Sequence, residues 1–150
     1  MEAASTADTR LDLATRIETA ALQTKSFDHI YLRDLFTPAY YAKLLAMLPA
    51  TRRYRELRHR QAIRADGRSA RRKFYLFPEH IMLLPAPQRA FWRELSRHLR
   101  SSDLQAAFKR RFQGALERRF GKSIDALRIY PVPMLLRDLG GYGSASMATR

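Results

Sequence analysis

Residues 129 to 139 read IYPVPMLLRDL, and Pro131 and Pro133 decide what this stretch can become. Proline has no amide N–H, and its ring clashes with the carbonyl four residues earlier, so YPVP cannot sit inside a helix. The segment must be extended, and prolines in a strand belong at a sheet edge or a bulged entry. If Ile129 to Leu136 is buried, its backbone N–H and C=O groups need partners, and a strand so late in the chain must find them far upstream.

Upstream candidates are few. FDHIYLRDLF, residues 27–36, alternates like a strand, with Phe27, His29 and Tyr31 toward one face and Ile30 and Leu32 toward the other. Arg52 to Lys73 carries Asp66-Gly67, a strong turn signal, between RRYRELRHRQAI and RRKFYLF, which predicts a hairpin with these two arms.

The remaining segments read as helices. Leu13, Ile17, Ala20 and Ala21 recur at helical spacing from Thr9 onward, with Asp12 near the start. Thr37 caps and Pro38 opens a second helix that Pro49 ends; Tyr41, Leu44, Leu45 and Leu48 are its expected buried stripe. PEHIMLLPAP predicts a short helical turn bounded by prolines. Pro87 starts a helix with Phe91, Trp92, Leu95 and Leu99 on its apolar face. Asp103 is expected to cap a long helix whose Leu104, Phe108, Phe112, Leu116 and Phe120 form a core stripe, closed by Gly121. The fold class implied is α+β. No internal repeat or low-complexity segment interrupts the pattern.

A complete domain of 150 residues buries roughly 70% of the surface its unfolded chain exposes. With 46% hydrophobic and 11% aromatic residues, disorder is excluded. The net charge of +14 predicts attraction to phosphates, acidic proteins or anionic membranes. Of the 28 basic residues 23 are Arg, which fits either selection for forked donors that grip phosphate and carboxylate or a GC-rich coding bias. Tyr54, Phe74 and Tyr75 are interleaved with the cations of Arg52 to Lys73. Such a mixture resembles a single-strand or RNA surface, but no recognised RNA module accompanies it, which favours a solvated hairpin beside an acidic partner or domain.

The absence of cysteine removes disulfides and thiolate metal sites and fits a reducing compartment. No run approaches the roughly 18 apolar residues of a membrane span, and MEAASTADTR lacks the shape of a secretory signal. The expected location is the cytoplasm, without membrane association. Phosphate-binding loops, HExxH, GxSxG and CxxC are all missing. The four histidines, His29, His59, His80 and His98, lie far apart, with no second ligand at metal-binding spacing, and read as ordinary packing or surface residues.

In order, FDHIYLRDLFTPAYYAKLLAMLP, a variable polar stretch, FWRELSRHLRS, FKRRFQGALERRFG and LLRDLGGY resemble the N-terminal part of a bacterial iron(II)/2-oxoglutarate-dependent dioxygenase, across most of residues 27 to 142. Residues 1–26 would be an N-terminal helical extension. The resemblance implies helices packed on the first strands of a double-stranded β-helix, the jelly-roll or cupin-like fold, here incomplete. It also implies that the strand ending in Arg-Asp and Gly-Tyr leads into His-x-Asp, the first two ligands of an Fe(II) facial triad. A distal His and an Arg for 2-oxoglutarate would come later in the chain.

This chain departs from the pattern where the chemistry would begin. GSASMATR comes after Tyr142, and no His lies beyond His98. No catalytic, cofactor-binding or metal-binding residue is therefore expected, and neither Fe(II) nor 2-oxoglutarate is expected to bind. Assuming TCN serine and CGN arginine codons, shifting the reading frame of Gly143 to Arg150 by one base permits Gly-Tyr-Arg-Ile-Gly-Ile-His-Gly-Asp-Thr. The same bases also allow Asn or Tyr at the two ligand positions. The expectation is that a one-nucleotide loss after the Tyr142 codon made residues 143–150 a frameshifted, non-native tail. Helix faces meant for the rest of the sheet should then be partly exposed, giving low stability or self-association, with weak, non-specific polyanion binding as a further property.

Overall fold

The computed structural model describes residues 12–139. Along the chain run α1 (Leu13–Thr19), β1 (Leu22–Gln23), β2 (His29–Ile30), α2 (Pro38–Ala46), β3 (Arg55–Glu56), β4 (Arg71–Tyr75), α3 (Pro78–Ile81), α4 (Ala86–Leu99), α5 (Ser102–Arg111), α6 (Gln113–Phe120) and β5 (Met134–Asp138). The fold is α+β with small antiparallel sheets. Two units divide the described chain: residues 12–47 with 94–131, and residues 48–93 with 132–139. Helix α4 begins in the second and ends in the first.

In the first unit, Asp12 caps α1 by accepting from the Thr15 amide at 3.0 Å, and α1 lies against α5. The helix is shorter than the sequence pattern: it stops at Thr19, because Ala20 is extended and Leu22–Gln23 pair with His29–Ile30. This pairing ties the segment before residue 27 to the chain after it. The expected 27–36 strand shrinks to two residues. Ser26 (φ 71°) and Asp34 (φ 49°) adopt left-handed conformations that bend the chain on either side. Arginines tie these bends down. Arg16 donates to the carbonyls of Arg33 and Asp34, Arg110 pairs with Glu18, Arg111 donates to Ala20 O, and Arg118 meets Asp28 at 2.9 Å.

Thr37 caps α2 and Pro38 opens it, as expected. Its inward side is different, however: Tyr40, Leu44 and Met47 are half-buried, while Tyr41, Leu45 and Leu48 are exposed. The stripe is rotated because Tyr40 stacks on Phe36 at 5.3 Å, at the point where the chain enters the helix. The long 103–120 helix is in fact two. Ser101, not Asp103, caps α5 through a bond from the Leu104 amide at 3.2 Å, since a cap residue must precede the first helical turn. The helix breaks at Phe112 (φ −108°, ψ 17°), and Gly121 (φ 62°) closes α6 in the left-handed conformation anticipated for it. The break takes the aromatic stripe out of the core. Phe108 and Phe120 are exposed, and Leu104, Phe112 and Leu116 are only half-buried.

In the second unit the strand order is β3-β4-β5, all antiparallel. The chain reverses at Asp66-Gly67, but the expected first arm over 52–63 pairs only at Arg55–Glu56 and through a bridge at Ile63, because Thr51–Arg53 and Arg60–Ala62 coil into 3-10 turns; β5 pairs with β4 over five residues, Arg71↔Asp138 to Tyr75↔Met134. The prolines end where pairing begins, so β5 is the edge strand that YPVP requires. Around β4 the buried core comprises Tyr54, Ala62, Ala70, Phe74, Leu76, Ile81, Leu84, Phe91 and Trp92. The tryptophan helix matches expectation through Leu95, whereas Leu99 is only half-buried.

These burials set the energetic order. Trp92→Ala removes a fully buried ring and should cost about 3–5 kcal/mol. Phe120→Ala, at a side chain 53% exposed, should stay within about 1 kcal/mol. Chemical denaturation of the two variants measures the contrast.

Candidate functional site

The three-stranded sheet gathers the basic segment and LLRD into one surface. Its turn is a product of local chemistry: Gly67 sits at φ 76°, which glycine adopts without Cβ strain, and Asp66 Oδ1 accepts from the Arg68 amide at 3.0 Å. Between turn and ladder, Ile63 bridges Ser69. The buried Ser69 hydroxyl lies 2.7 Å from Leu57 O and 3.0 Å from Arg71 O, and accepts from the Arg71 amide. It satisfies the backbone where the first arm leaves regular pairing. Nothing in the alternation of apolar residues flags Ser69; its position between the turn and the strand is the only signal.

Antiparallel pairing puts partners on a common face. One face carries Arg55, Arg71, Lys73, Tyr75, Met134, Leu136 and Asp138; the other carries Tyr54, Glu56, Arg72, Phe74, Leu135 and Arg137. On the first, Arg71 grips Asp138 through Nε–Oδ1 at 2.7 Å and Nη2–Oδ2 at 3.3 Å. This two-point contact joins the basic hairpin to the Asp of LLRD. Lys73 Nζ donates to Tyr75 Oη at 2.7 Å on the same face. On the second face the aromatic half is core: Tyr54 and Phe74 are buried with ring centroids 5.9 Å apart, and His80 meets Phe74 edge-on at 6.2 Å.

That burial corrects one expectation. Tyr54 and Phe74 do not offer faces to nucleic-acid bases, because the hairpin uses them to pack its own sheet. The cations do face solvent: Arg52, Arg53, Arg55, Arg58, Arg60 and Arg68 are exposed. Burial raises the Tyr54 phenol above its ordinary value of 10.0, opposed by the nearby Arg137 charge. Burial also raises Tyr40 in the first unit, with Glu94 adding to the effect.

The histidines remain apart. His29 Nδ1 lies 2.9 Å from Phe27 O, His59 Nδ1 accepts from the Gln61 amide at 3.4 Å, and His80 Nδ1 is 3.8 Å from Glu79. His98 lines a cleft of about 710 Å³ in the first unit with Asp12, Arg97, Ser101 and Asp103. Asp12 and Ser101 are already engaged there as helix caps. Among the described residues no three His, Cys, Asp or Glu side chains converge. Leu139 closes the described chain, and Gly140 to Tyr142 and the 143–150 tail lie outside the described residues.

The two tyrosines predict an alkaline limit. A folded-state value raised above 10.0 contributes stability that is complete below pH 10.0 and is lost as pH rises through the folded value. Tyr54→Phe should flatten that loss, and Arg137→Gln should raise the Tyr54 phenol further by removing the opposing charge. Ultraviolet titration of tyrosinate together with melting curves reads both. Comparison of the chain with protein-family models, with curated proteins and with solved structures finds no match.

Proposed function

We propose that residues 27 to 142 form the N-terminal part of an iron(II)/2-oxoglutarate-dependent dioxygenase-like domain of the double-stranded β-helix type. Support comes from one observation: the LLRD segment is an antiparallel edge strand on β4, the position from which a strand ending in Arg-Asp and Gly-Tyr would run on toward His-x-Asp. In the intact family the metal provides open positions for cosubstrate and oxygen, coupling decarboxylation of 2-oxoglutarate to hydroxylation. No step of that reaction is assigned to a residue of this chain. Exposed apolar side chains in each unit agree with this reading: Tyr41, Leu45, Phe120 and Tyr130 in the first, and Val132 and Leu136 in the second.

Sequencing the DNA beyond the codon for Arg150 is the direct test. The reading expects a shifted frame encoding His-x-Asp, then a distal His and an Arg; a downstream frame without them overturns it. At the protein level, the 150-residue chain should release no carbon dioxide from 2-oxoglutarate above the Fe(II)-only background, while the frame-restored chain should. The short chain should also bind an apolar-surface dye or self-associate. A monomer with cooperative, high-temperature melting would count against the reading.

A second reading rests on the exposed arginines of the hairpin and their net charge: weak, non-specific binding to polyanions. With Tyr54 and Phe74 buried and Tyr75 half-buried beside Lys73, the surface acts mainly through charge. Affinity for single-stranded nucleic acid should then fall steeply with salt and show no base preference. A tight, sequence-selective complex at 200 mM salt would contradict it.

A further inference from the structure

Cross-strand partners normally avoid like charge, yet Arg72 on β4 stands directly opposite Arg137 on β5. The bonds Leu76 N to Pro133 O and Leu139 N to Ala70 O fix the alternation of this ladder and make Arg72–Arg137 a hydrogen-bonded pair, with Cα atoms about 5.5 Å apart. Both side chains leave the same face. Arg72 is half-buried, and its Nε is buried without a hydrogen-bond partner. Arg137 reaches Thr51 Oγ1 at 2.5 Å, and its charge is felt at the Tyr54 phenol.

The surroundings do not neutralise the pair. Asp138 is committed to Arg71 on the opposite face. Glu56 stands across from Arg72 on β3, but its Oε2 lies toward Arg58 Nε at 3.6 Å. Glu56 is thus shared between Arg72, its cross-strand partner, and Arg58. Two planar, forked donors on one face with a hydroxyl beside them match the oxygens of a tetrahedral oxyanion.

We propose that Arg72 and Arg137, with Thr51 Oγ1, form a seat for a phosphate-type oxyanion on the β3-β4-β5 sheet. The seat is distinct from the exposed arginines of the hairpin and does not depend on the dioxygenase reading. Bound phosphate would offset the like-charge contact, so it should stabilise the fold as well as bind.

The test uses the full chain and inorganic phosphate against chloride at constant ionic strength, read by melting temperature and by calorimetry. The expected result is a saturable upward shift specific to phosphate. Arg72→Met and Arg137→Met should each weaken phosphate binding at least tenfold, while Arg55→Met, on the other face, should leave it unchanged. Should Arg72→Met fail to fold, Arg137→Lys retains the charge but loses the fork and should still bind more weakly. Glu56→Gln, which removes the competing carboxylate, should bind a few-fold more tightly. Phosphate no more effective than chloride, or equal losses in Arg55→Met and Arg137→Met, would overturn the proposal. A single-stranded oligonucleotide that displaces phosphate from the native chain but not from Arg137→Met assigns the phosphate to a polymer backbone; no displacement assigns it to a free small ligand.

Discussion

The pairing of Arg71–Tyr75 with Met134–Asp138 is the constraint on which the second unit depends. It joins residues as many as 67 positions apart, Arg71 to Asp138. The entropy of closing so long a loop must be recovered from the contacts that form once it closes. Five cross-strand pairs, the two-point Arg71–Asp138 contact and the bonds Leu76 N to Pro133 O and Leu139 N to Ala70 O supply them. Register has the same source. A slip of one residue would send Phe74 and Leu135 to the solvent face and bring Lys73 and Leu136 inward, exchanging a packed aromatic for a buried ammonium.

The abundance of arginine takes on physical meaning in this setting. In the first unit Arg16 and Arg111 hold irregular backbone, Arg110 holds Glu18 of α1 and Arg118 holds Asp28 beside β2. In the second, Arg64 donates to Leu139 O and Arg71 to Asp138. Such exposed contacts contribute little individually, but a planar fork can satisfy carbonyls that short strands and left-handed turns leave unpaired. The row Glu56–Arg72–Arg137 differs, because its geometry concentrates positive charge on the core side of a sheet instead of dispersing it.

Much of the fold was legible because its signals are local. Thr37-Pro38 and Gly121 act within one helical turn, Asp66-Gly67 within one reversal, and the prolines of YPVP within their own residues. What misled was periodicity without context. Phe108, Phe112 and Phe120 share a helical spacing, but the helix breaks at Phe112 and the stripe is not continuous. Tyr41, Leu45 and Leu48 have the spacing of a core stripe, yet α2 turns Tyr40 and Leu44 inward. The Phe27–Phe36 alternation read as a full strand because nothing local shows that Leu22–Gln23 is its only partner in the sheet and that Ser26 and Asp34 bend the chain beside it. Of the candidate surface, the cations of the hairpin were evident, while the burial of Tyr54 and Phe74 was not: an aromatic between arginines looks the same whether it serves a base or a core.

By itself, the sequence determined the α+β composition, the hairpin turn, the caps at Thr37 and Gly121 and the extended, edge-strand character of the segment after YPVP, because each depends on the covalent properties of one to four neighbouring residues. Only the tertiary structure decided that this last strand lies on Arg71–Tyr75, that two arginines stand opposed on the core-facing side of the sheet, and which aromatics are buried. Those outcomes depend on register and on side chains brought together from more than 60 residues apart, and no local spacing encodes which distant partner a strand will find.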